Sequence, residues 1–227
     1  MQQPSARESA GTQPAQAEIA IAIDEGTLRG DLVLPAQAGG VVLFAHGSGS
    51  SRHSTRNRFV ARVLQEGRLG TLLMDLLTEP EEAREAAGAM RRFDVDMLAG
   101  RLAAAADWLA SDPRTSGLRA GYFGASTGAA AALIAAAQRP ERVTAVVSRG
   151  GRPDLASPES VALVRAPTLL LVGGNDLPVI ELNREAYAYL RCERKLEIIP
   201  GATHLFEEPG ALEAVAHHAR DWFLRHL

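Results

Sequence analysis

The chain has 227 residues, of which 46% are hydrophobic and 22% charged, as is typical of one soluble globular domain. Its formal net charge of −3 argues against nucleic-acid binding, because nucleic-acid-binding domains concentrate positive charge. No run of apolar residues approaches the roughly 18 that a membrane-spanning helix needs. A nucleic-acid-binding protein and a membrane protein are therefore not expected.

The N-terminal segment, residues 1–17, is rich in Gln, Ala, Ser and Pro and contains both Arg7 and Glu8. It lacks the continuous apolar stretch of a signal peptide, so we expect a flexible tail there and one domain over residues 18–227. The single cysteine, Cys192, cannot form an internal disulfide, which favours a reducing compartment. These features predict a cytoplasmic protein, with monomer and homodimer both left open.

A series of short apolar segments predicts the strands of a sheet. Residues 18–24 and 27–34 alternate in polarity around the turn Glu25-Gly26, which is typical of a β-hairpin. Further short apolar runs resemble strands that are buried on both faces of a parallel sheet. They cover residues 41–45, 71–74, 118–123, 143–147 and 168–172. A last strand, residues 196–199, contains a charged residue and is expected nearer the sheet edge.

Helical segments lie between these strands. Residues 59–64, 97–109, 129–137 and 211–227 combine apolar spacing near 3.6 residues with strong helix formers. The acidic stretch at 79–82 interrupts this alternation and is expected to be a solvated loop. Strands that alternate with helices predict a single α/β domain with a doubly wound, mostly parallel sheet.

The residues after the strand at 118–123 form the motif Gly-Ala-Ser-Thr-Gly at 124–128, and an Ala-rich helix follows it. A strand, a G-x-S-x-G turn and a helix in this order are typical of a nucleophile elbow. The turn would hold the hydroxyl of Ser126 at the N-terminus of the helix, where partial positive charge favours a developing anion. We therefore predict that Ser126 is a catalytic nucleophile.

A serine nucleophile needs a histidine base that a carboxylate orients, in the chain order Ser, Asp or Glu, His. Asp176 and His204 each follow a strand, in that order. Asp176 is expected to fix the tautomer of His204, which would relay the proton of Ser126. Other carboxylates and histidines lie in the wrong order or inside the C-terminal helix. These are Asp75, Glu207, Glu208, His46, His217, His218 and His226.

The tetrahedral intermediate of such a reaction needs at least two hydrogen-bond donors for its oxyanion. The backbone N–H of Thr127 directly follows the nucleophile and would supply one. The segment His-Gly-Ser-Gly-Ser at 46–50 follows the strand at 41–45, and the N–H of Ser48 would supply the other. His46 is expected to support this loop through a hydrogen bond rather than to act as a base.

Taken together, the segment at 46–50, the turn at 124–128, Asp176 and His204 resemble the α/β-hydrolase superfamily, and its dienelactone-hydrolase-related branch in particular. The resemblance extends over the chain from about residue 19. It implies an α/β-hydrolase fold and a metal-free, cofactor-free hydrolase that cleaves small-molecule esters or lactones through an acyl-enzyme. Dienelactone hydrolases proper carry cysteine at the elbow, whereas this chain has Ser126 there and its cysteine is far away.

The segment between the strands at 143–147 and 168–172 is too short for the lid domain of many superfamily members. Within it, Arg149 and Arg152 follow a strand end, and they either bind an anionic group of the substrate or pair with nearby carboxylates. The candidate partners are Asp154, Glu159 and Glu181. Arg149 could also join the basic residues after the oxyanion segment in an electropositive mouth for acidic substrates. Those residues are Arg52, His53, Arg56 and Arg58.

The prediction is a carboxylic-ester hydrolase with the triad Ser126, Asp176 and His204, the oxyanion donors Ser48 and Thr127, and substrate contacts from Arg56, Arg149 and Arg152. Two alternatives stay open. The same triad could transfer the acyl group to another acceptor or cleave a thioester or carbon–carbon bond. In the other alternative, the fold binds a ligand without turnover.

Overall fold

The computed structural model describes residues 14–88 and 90–227. An antiparallel hairpin begins the described chain: β1 (Ala15–Ile23) pairs with β2 (Gly26–Leu34) over its full length. The predicted hairpin is confirmed, but residues 15–17, which the sequence assigned to the tail, belong to β1. Ala15 pairs with Leu34 and Ala17 with Leu32, so the ladder hydrogen bonds hold residues 15–17 in the strand. Residues 1–13 of the predicted tail lie outside the described residues.

Six further strands complete one eight-stranded sheet with the order β1-β2-β4-β3-β5-β6-β7-β8. The hairpin joins β4 in an antiparallel pair, and all later pairs are parallel. The bounds of the strands are β3 (Gly40–Ala45), β4 (Gly70–Met74), β5 (Arg119–Ala125), β6 (Val143–Arg149), β7 (Thr168–Gly173) and β8 (Arg194–Ile199). The predicted doubly wound, mostly parallel sheet is confirmed, and so is the edge position of the last strand.

In the described part of the chain, seven α-helices cover the two faces of the sheet. They are α1 (Thr55–Glu66), α2 (Glu79–Ala86), α3 (Val95–Ser111), α4 (Thr127–Gln138), α5 (Pro158–Leu163), α6 (Leu177–Tyr189) and α7 (Ala211–His226). One apolar core lies between the sheet and helices α1 and α7, and the other lies under α3 and α4. Strands β3, β4 and β7 are buried along their whole length, which explains their mainly apolar sequences.

The prediction of a solvated loop at residues 79–82 is wrong, because these residues open α2. The Thr78 side chain and the carboxylate of Glu81 form a reciprocal capping box at the start of this helix. Glu81 is then buried, because Arg101 from α3 reaches its carboxylate with two hydrogen bonds of 2.7 and 2.8 Å. The charge that suggested solvation is thus paired inside the protein.

The connection between β6 and β7 holds only a short 3-10 helix (Pro153–Leu155) and the six-residue α5. No lid domain is inserted between these two strands. Within residues 14–88 and 90–227, no helix has both the length and the apolar character that crossing a membrane requires. Cys192 is half-buried near Thr168 of β7. The cytoplasmic location predicted from this single thiol stays a prediction.

Candidate active site

Ser126 lies in a strained turn between β5 and α4. Its backbone angles are φ 52° and ψ −121°, a conformation that typically costs a non-glycine residue about 1–3 kcal/mol. Two neighbouring backbone groups hold it there: the Ser126 N–H donates to the Arg149 carbonyl at 3.2 Å, and the Arg152 N–H donates to the Ser126 carbonyl at 3.1 Å. The surrounding structure therefore fixes the side chain of Ser126 above the sheet edge.

The two glycines of the motif allow this turn to pack. A Cβ atom on Gly124 would lie 2.4 Å from the Cα of Ala129, and one on Gly128 would lie 2.3 Å from the carbonyl oxygen of Ala45. Both distances are far below van der Waals contact, and the obstacles are backbone atoms that cannot move aside. The elbow thus requires glycine at both positions because the strand, the turn and the helix approach one another so closely.

His204 and Asp176 meet at the same edge of the sheet. Asp176 precedes α6 after β7, His204 follows β8, and Nδ1 of His204 lies 2.7 Å from Oδ2 of Asp176. This contact leaves Nε2 of His204 available to another group. In the described part of the chain no hydrogen bond yet joins His204 to Ser126, but both residues line one cavity. Such catalytic contacts are often loose before substrate binds.

The other candidate carboxylates have other partners. Glu207 pairs with Arg56 at 3.2 Å, and Glu208 accepts a hydrogen bond from Thr203 at 2.6 Å. Asp75 pairs with Arg52. The structure thus brings Asp176, rather than any of these three, to His204.

The shared cavity has a volume of about 190 Å³. This is below the roughly 300–1,000 Å³ typical of sites for drug-sized ligands, so the cavity suits a small substrate. Its lining combines Ser126 and His204 with the loop at 46–50, two arginines and few apolar groups. The lining residues are Gly47, Ser48, Gly49, Ser50, Ser54, Arg56, Ala125, Ser126, Arg149, His204 and Leu205.

The loop after β3 passes directly beside Ser126, since a Cβ atom on Gly47 would lie 3.2 Å from the Cβ of Ser126. The backbone N–H groups of Ser48 and Thr127 donate no hydrogen bond within the described residues. His46 supports the loop from below: Nδ1 is 2.9 Å from the Gly47 carbonyl, and Nε2 accepts the Leu76 N–H at 3.1 Å. Burial lowers the pKa of His46, so the ring is neutral and donates from Nδ1.

The structure separates the basic residues that the sequence grouped together. Arg152 forms two hydrogen bonds of 2.7 and 2.8 Å to Asp154 and does not line the cavity, so the prediction that it contacts substrate is not supported by its position. Arg52 pairs with Asp75, Asp31 and Glu18, and Arg58 lies against Asp31 and His53. Of the expected electropositive mouth, only Arg56 and Arg149 reach the cavity.

Arg149 differs from every other arginine of the described chain in combining deep burial with the lack of a partner for its side chain. It is 9% exposed, and its Nη1 is buried without a hydrogen-bond partner. Its guanidinium lies 6.0 Å from the centre of the Phe123 ring, which contributes only a weak attraction. Desolvation, followed by the nearby charge of Arg56, lowers its pKa to about 10, so Arg149 is still a cation at neutral pH.

Sequence reasoning missed two groups that shape this site. Arg92, in a 3-10 helix (Arg91–Phe93), donates a 2.9 Å hydrogen bond to the carbonyl of Ser48. Asn183 of α6 donates to the carbonyl of Gly151 at 3.0 Å and so braces the loop after β6. Neither belongs to a motif, because both act on backbone carbonyls from distant parts of the chain.

Comparisons with known proteins identify the family of the chain and the type of its fold. The family model described as "Dienelactone hydrolase family" matches residues 28–227. The crystal structure of a dienelactone hydrolase from Anabaena variabilis is 57% identical, covers 95% of this chain and 100% of its own, and superposes with a TM-score of 0.93. Est1E from Butyrivibrio proteoclasticus shares the fold at 16% identity, with 92% and 98% coverage and a TM-score of 0.76. The sheet is therefore of the α/β-hydrolase type.

One relative is considerably longer than this chain. A Mycobacterium tuberculosis protein named "Putative phosphoribosyl transferase" is 55% identical over 210 residues, which are 92% of this chain but 46% of that protein. This chain thus spans about half the length of that relative. The name describes the longer protein as a whole.

Proposed function

Since the chain belongs to the dienelactone hydrolase family, we propose that it hydrolyses small carboxylic esters or lactones with Ser126 as nucleophile, His204 as base and Asp176 as the carboxylate that orients it. The observation that carries this proposal is the meeting of a strained serine elbow and a His204–Asp176 hydrogen bond of 2.7 Å at one cavity.

In the proposed reaction, the Ser126 hydroxyl attacks the substrate carbonyl while Nε2 of His204 takes its proton. The proton then passes to the leaving alcohol oxygen as the carbon–oxygen bond breaks and the acyl-enzyme forms. Water, deprotonated by His204, releases the acid and regenerates the hydroxyl. Asp176 accepts the Nδ1–H hydrogen bond and stabilises the transient imidazolium.

The oxyanion of each tetrahedral intermediate is proposed to bind to the free N–H groups of Ser48 and Thr127. The Thr127 N–H lies at the N-terminus of α4, where the helix dipole favours negative charge. The Ser48 N–H belongs to the loop that passes beside Ser126. Removing one such donor typically lowers kcat about 10²–10³-fold in serine hydrolases.

We propose in addition that the substrate carries an anionic group that binds Arg149, with Arg56 at the cavity entrance. A buried cation without a partner is costly, and an anion that enters the cavity would supply the missing one. No carboxylate among the described residues lines the cavity to compete for that role. Arg152 has no part in this proposal because its guanidinium is paired with Asp154.

Covalent labelling tests the nucleophile. A fluorophosphonate probe should react with the wild-type protein and leave an adduct on Ser126, as identified by peptide mass spectrometry. The Ser126→Ala variant should lose the adduct and turnover of 4-nitrophenyl acetate, by a factor on the order of 10⁶ in kcat, while its unfolding transition stays unchanged. Labelling at another residue, or residual turnover within tenfold of wild type, would contradict the proposal.

Competition between acceptors separates hydrolysis from acyl transfer. The released products of 4-nitrophenyl acetate should be 4-nitrophenol and acetate, even with millimolar alcohols or amines present. A product ester or amide formed in preference to acetate would identify a transferase. No turnover of esters, lactones or thioesters together with no labelling would identify a binding protein of this fold.

A further inference from the structure

The loop that carries Ser48 is held by hydrogen bonds to two successive carbonyl groups. The first is the carbonyl of Gly47, which receives Nδ1–H of His46 at 2.9 Å and the Ser50 N–H at 3.1 Å. This carbonyl and the Ser48 N–H belong to one planar trans peptide, so they point in opposite directions. Fixing the Gly47 carbonyl below the loop therefore directs the Ser48 N–H away from His46.

The second carbonyl is that of Ser48 itself, which accepts the 2.9 Å hydrogen bond from Nη1 of Arg92. It belongs to the peptide on the other side of the Ser48 Cα. Because only φ and ψ of Ser48 lie between the two peptides, holding both planes leaves the Ser48 N–H little freedom to swing. The direction of this donor thus depends on a side chain from the segment between α2 and α3.

Arg92 is in turn held by a buried carboxylate. Its Nε donates to Oε2 of Glu85 at 2.6 Å, and its Nη2 lies 3.7 Å from Glu82. The carboxylate of Glu85 is fully buried and also accepts the Arg91 N–H at 2.7 Å. Burial alone would raise the pKa of Glu85, but the hydrogen bonds from Arg92 and from the backbone outweigh it and lower the pKa, so Glu85 is ionised.

We propose that Arg92 is a positioning residue that aims the Ser48 N–H at the oxyanion, and that Glu85 holds Arg92 in place for this purpose. This inference rests on the proposed function, because it needs Ser48 to be an oxyanion donor. Arg92 acts through the Ser48 peptide and needs no contact with substrate. The acidic helix α2, which looked like a solvated loop in the sequence, thereby supports the active site.

The test uses 4-nitrophenyl acetate, a neutral ester whose turnover does not depend on binding an anion. Arg92→Met should lower kcat about 10–100-fold and change KM less than threefold, since the donor acts on the transition state more than on bound substrate. Arg92→Lys, which keeps the charge and one donor, should recover part of the loss. The matched control is Arg142→Met, because Arg142 is also a half-exposed arginine with a carboxylate partner, Asp107, but lies far from the loop.

Arg92→Met leaves Glu85 without its cation, so a second variant separates positioning from folding. Arg92→Met combined with Glu85→Gln removes the unpaired charge, while the amide oxygen of the new side chain can still accept the Arg91 N–H. The combined variant should unfold near the wild-type midpoint and keep the low kcat.

A transition-state analogue gives a second readout. Methylboronic acid forms a tetrahedral adduct on a serine nucleophile, and its inhibition constant should rise in proportion to the fall in kcat/KM across the Arg92 variants. A merely structural role would not produce that proportionality.

The inference is overturned if the combined variant is folded and its kcat lies within twofold of wild type, or if the boronate inhibition constant does not change. The proposed function fails in a different way, through the lack of a fluorophosphonate adduct on Ser126 in the wild-type protein. If the adduct forms on Ser126 but the Arg92 variants keep the wild-type kcat, only the positioning role of Arg92 is rejected.

Discussion

Two buried arginines of this protein have very different surroundings. Arg101 of α3 is 3% exposed and forms hydrogen bonds of 2.6–2.8 Å to the Leu76 carbonyl and to both carboxylate oxygens of Glu81. Arg149 at the end of β6 is 9% exposed, and its side chain has neither a hydrogen bond nor an ion pair among the described residues. Only Arg149 lines the cavity with Ser126.

The two arginines differ in whether the fold supplies a carboxylate to pair with the guanidinium. Inside the fold, Glu81 pairs so well with Arg101 that its pKa falls to about 2, because hydrogen bonds from Arg101 and Thr78 overcome the effect of burial. At the cavity, desolvation lowers the pKa of Arg149 to about 10, and no carboxylate of the described chain compensates. The first arginine is paired within the fold, and the second is the one that we propose to bind an anionic group of the substrate.

The largest expected effect is the difference between Arg101 and Arg149 in their contribution to the free energy of unfolding. Arg101→Met should lower the free energy of unfolding by up to about 3–5 kcal/mol, because it removes the buried cation that pairs with Glu81 and leaves only the half-exposed Arg91, whose Nη1 donates to Glu81 at 2.7 Å. Arg149→Met should leave stability unchanged or raise it, because it removes an unpaired buried charge and keeps most of the side-chain volume. Denaturant unfolding at neutral pH, followed by circular dichroism, measures both.

The control for this stability test removes both charges. Arg101→Met combined with Glu81→Leu should recover part of the loss, since no isolated charge then stays in the core, although the hydrogen bond from the Thr78 N–H to Glu81 is lost as well. If Arg149→Met were as destabilising as Arg101→Met, the contrast between the two arginines would disappear. The same result would show that Arg149 has a structural partner within the fold.

Lowering the pH should reproduce the loss of stability expected for Arg101→Met, because acid protonates Glu81. The pKa of Glu81 is about 2 in the folded protein, against an ordinary value of 4.5. The stability that this pair contributes is therefore complete above about pH 4.5 and is lost as the pH falls towards 2. This pH-dependent loss of stability should not exceed the loss of unfolding free energy measured for Arg101→Met. Unfolding free energies at pH 7, 4 and 3 should decline less steeply in the Arg101→Met, Glu81→Leu variant than in wild type.

Much of the fold was readable from the sequence because short apolar runs, glycine turns and helical periodicity are local signals. The strand at 41–45 and the elbow at 124–128 were placed within two residues of their observed positions. The pairing partner of His204 followed from chain order and from the position of Asp176 after a strand. These predictions rest on the rule that parallel strands bring their carboxyl ends to one edge.

What the sequence did not reveal are long-range ion pairs and side-chain hydrogen bonds, which leave no local pattern. Glu81 and Arg101 are 20 residues apart and Arg92 and Ser48 are 44 apart, so no window of the sequence joins them. The same limitation applied to the arginines. Arg149 and Arg152 look equivalent in the sequence. In the structure, Arg152 pairs with Asp154, whereas the buried Nη1 of Arg149 has no hydrogen-bond partner.

A smaller effect should appear in substrate choice. Wild type should prefer mono-4-nitrophenyl succinate, which is anionic, over 4-nitrophenyl valerate, a neutral ester of similar size. Arg149→Met should reduce the ratio of their kcat/KM values about 10–100-fold, as expected for the loss of a charge-assisted hydrogen bond worth about 1.5–3 kcal/mol. Arg152→Met is the matched control and should leave the ratio unchanged. Equal kcat/KM for the two esters in wild type would reject the anionic substrate.

The smallest effect should be seen without turnover, in the stabilisation of the folded protein by an anion. Succinate at ten times its dissociation constant would add about 1.4 kcal/mol to wild type, which corresponds to a rise in Tm of roughly 3–6 °C for a domain of this size. The rise should vanish in Arg149→Met and persist in the Arg101→Met, Glu81→Leu variant, because of the two buried arginines it is Arg149 that lines the cavity with an unpartnered Nη1. Potassium chloride at equal ionic strength separates specific binding from screening. An equal rise in all three proteins would mean that succinate acts elsewhere, and Arg149 would then be an unpaired charge without a ligand.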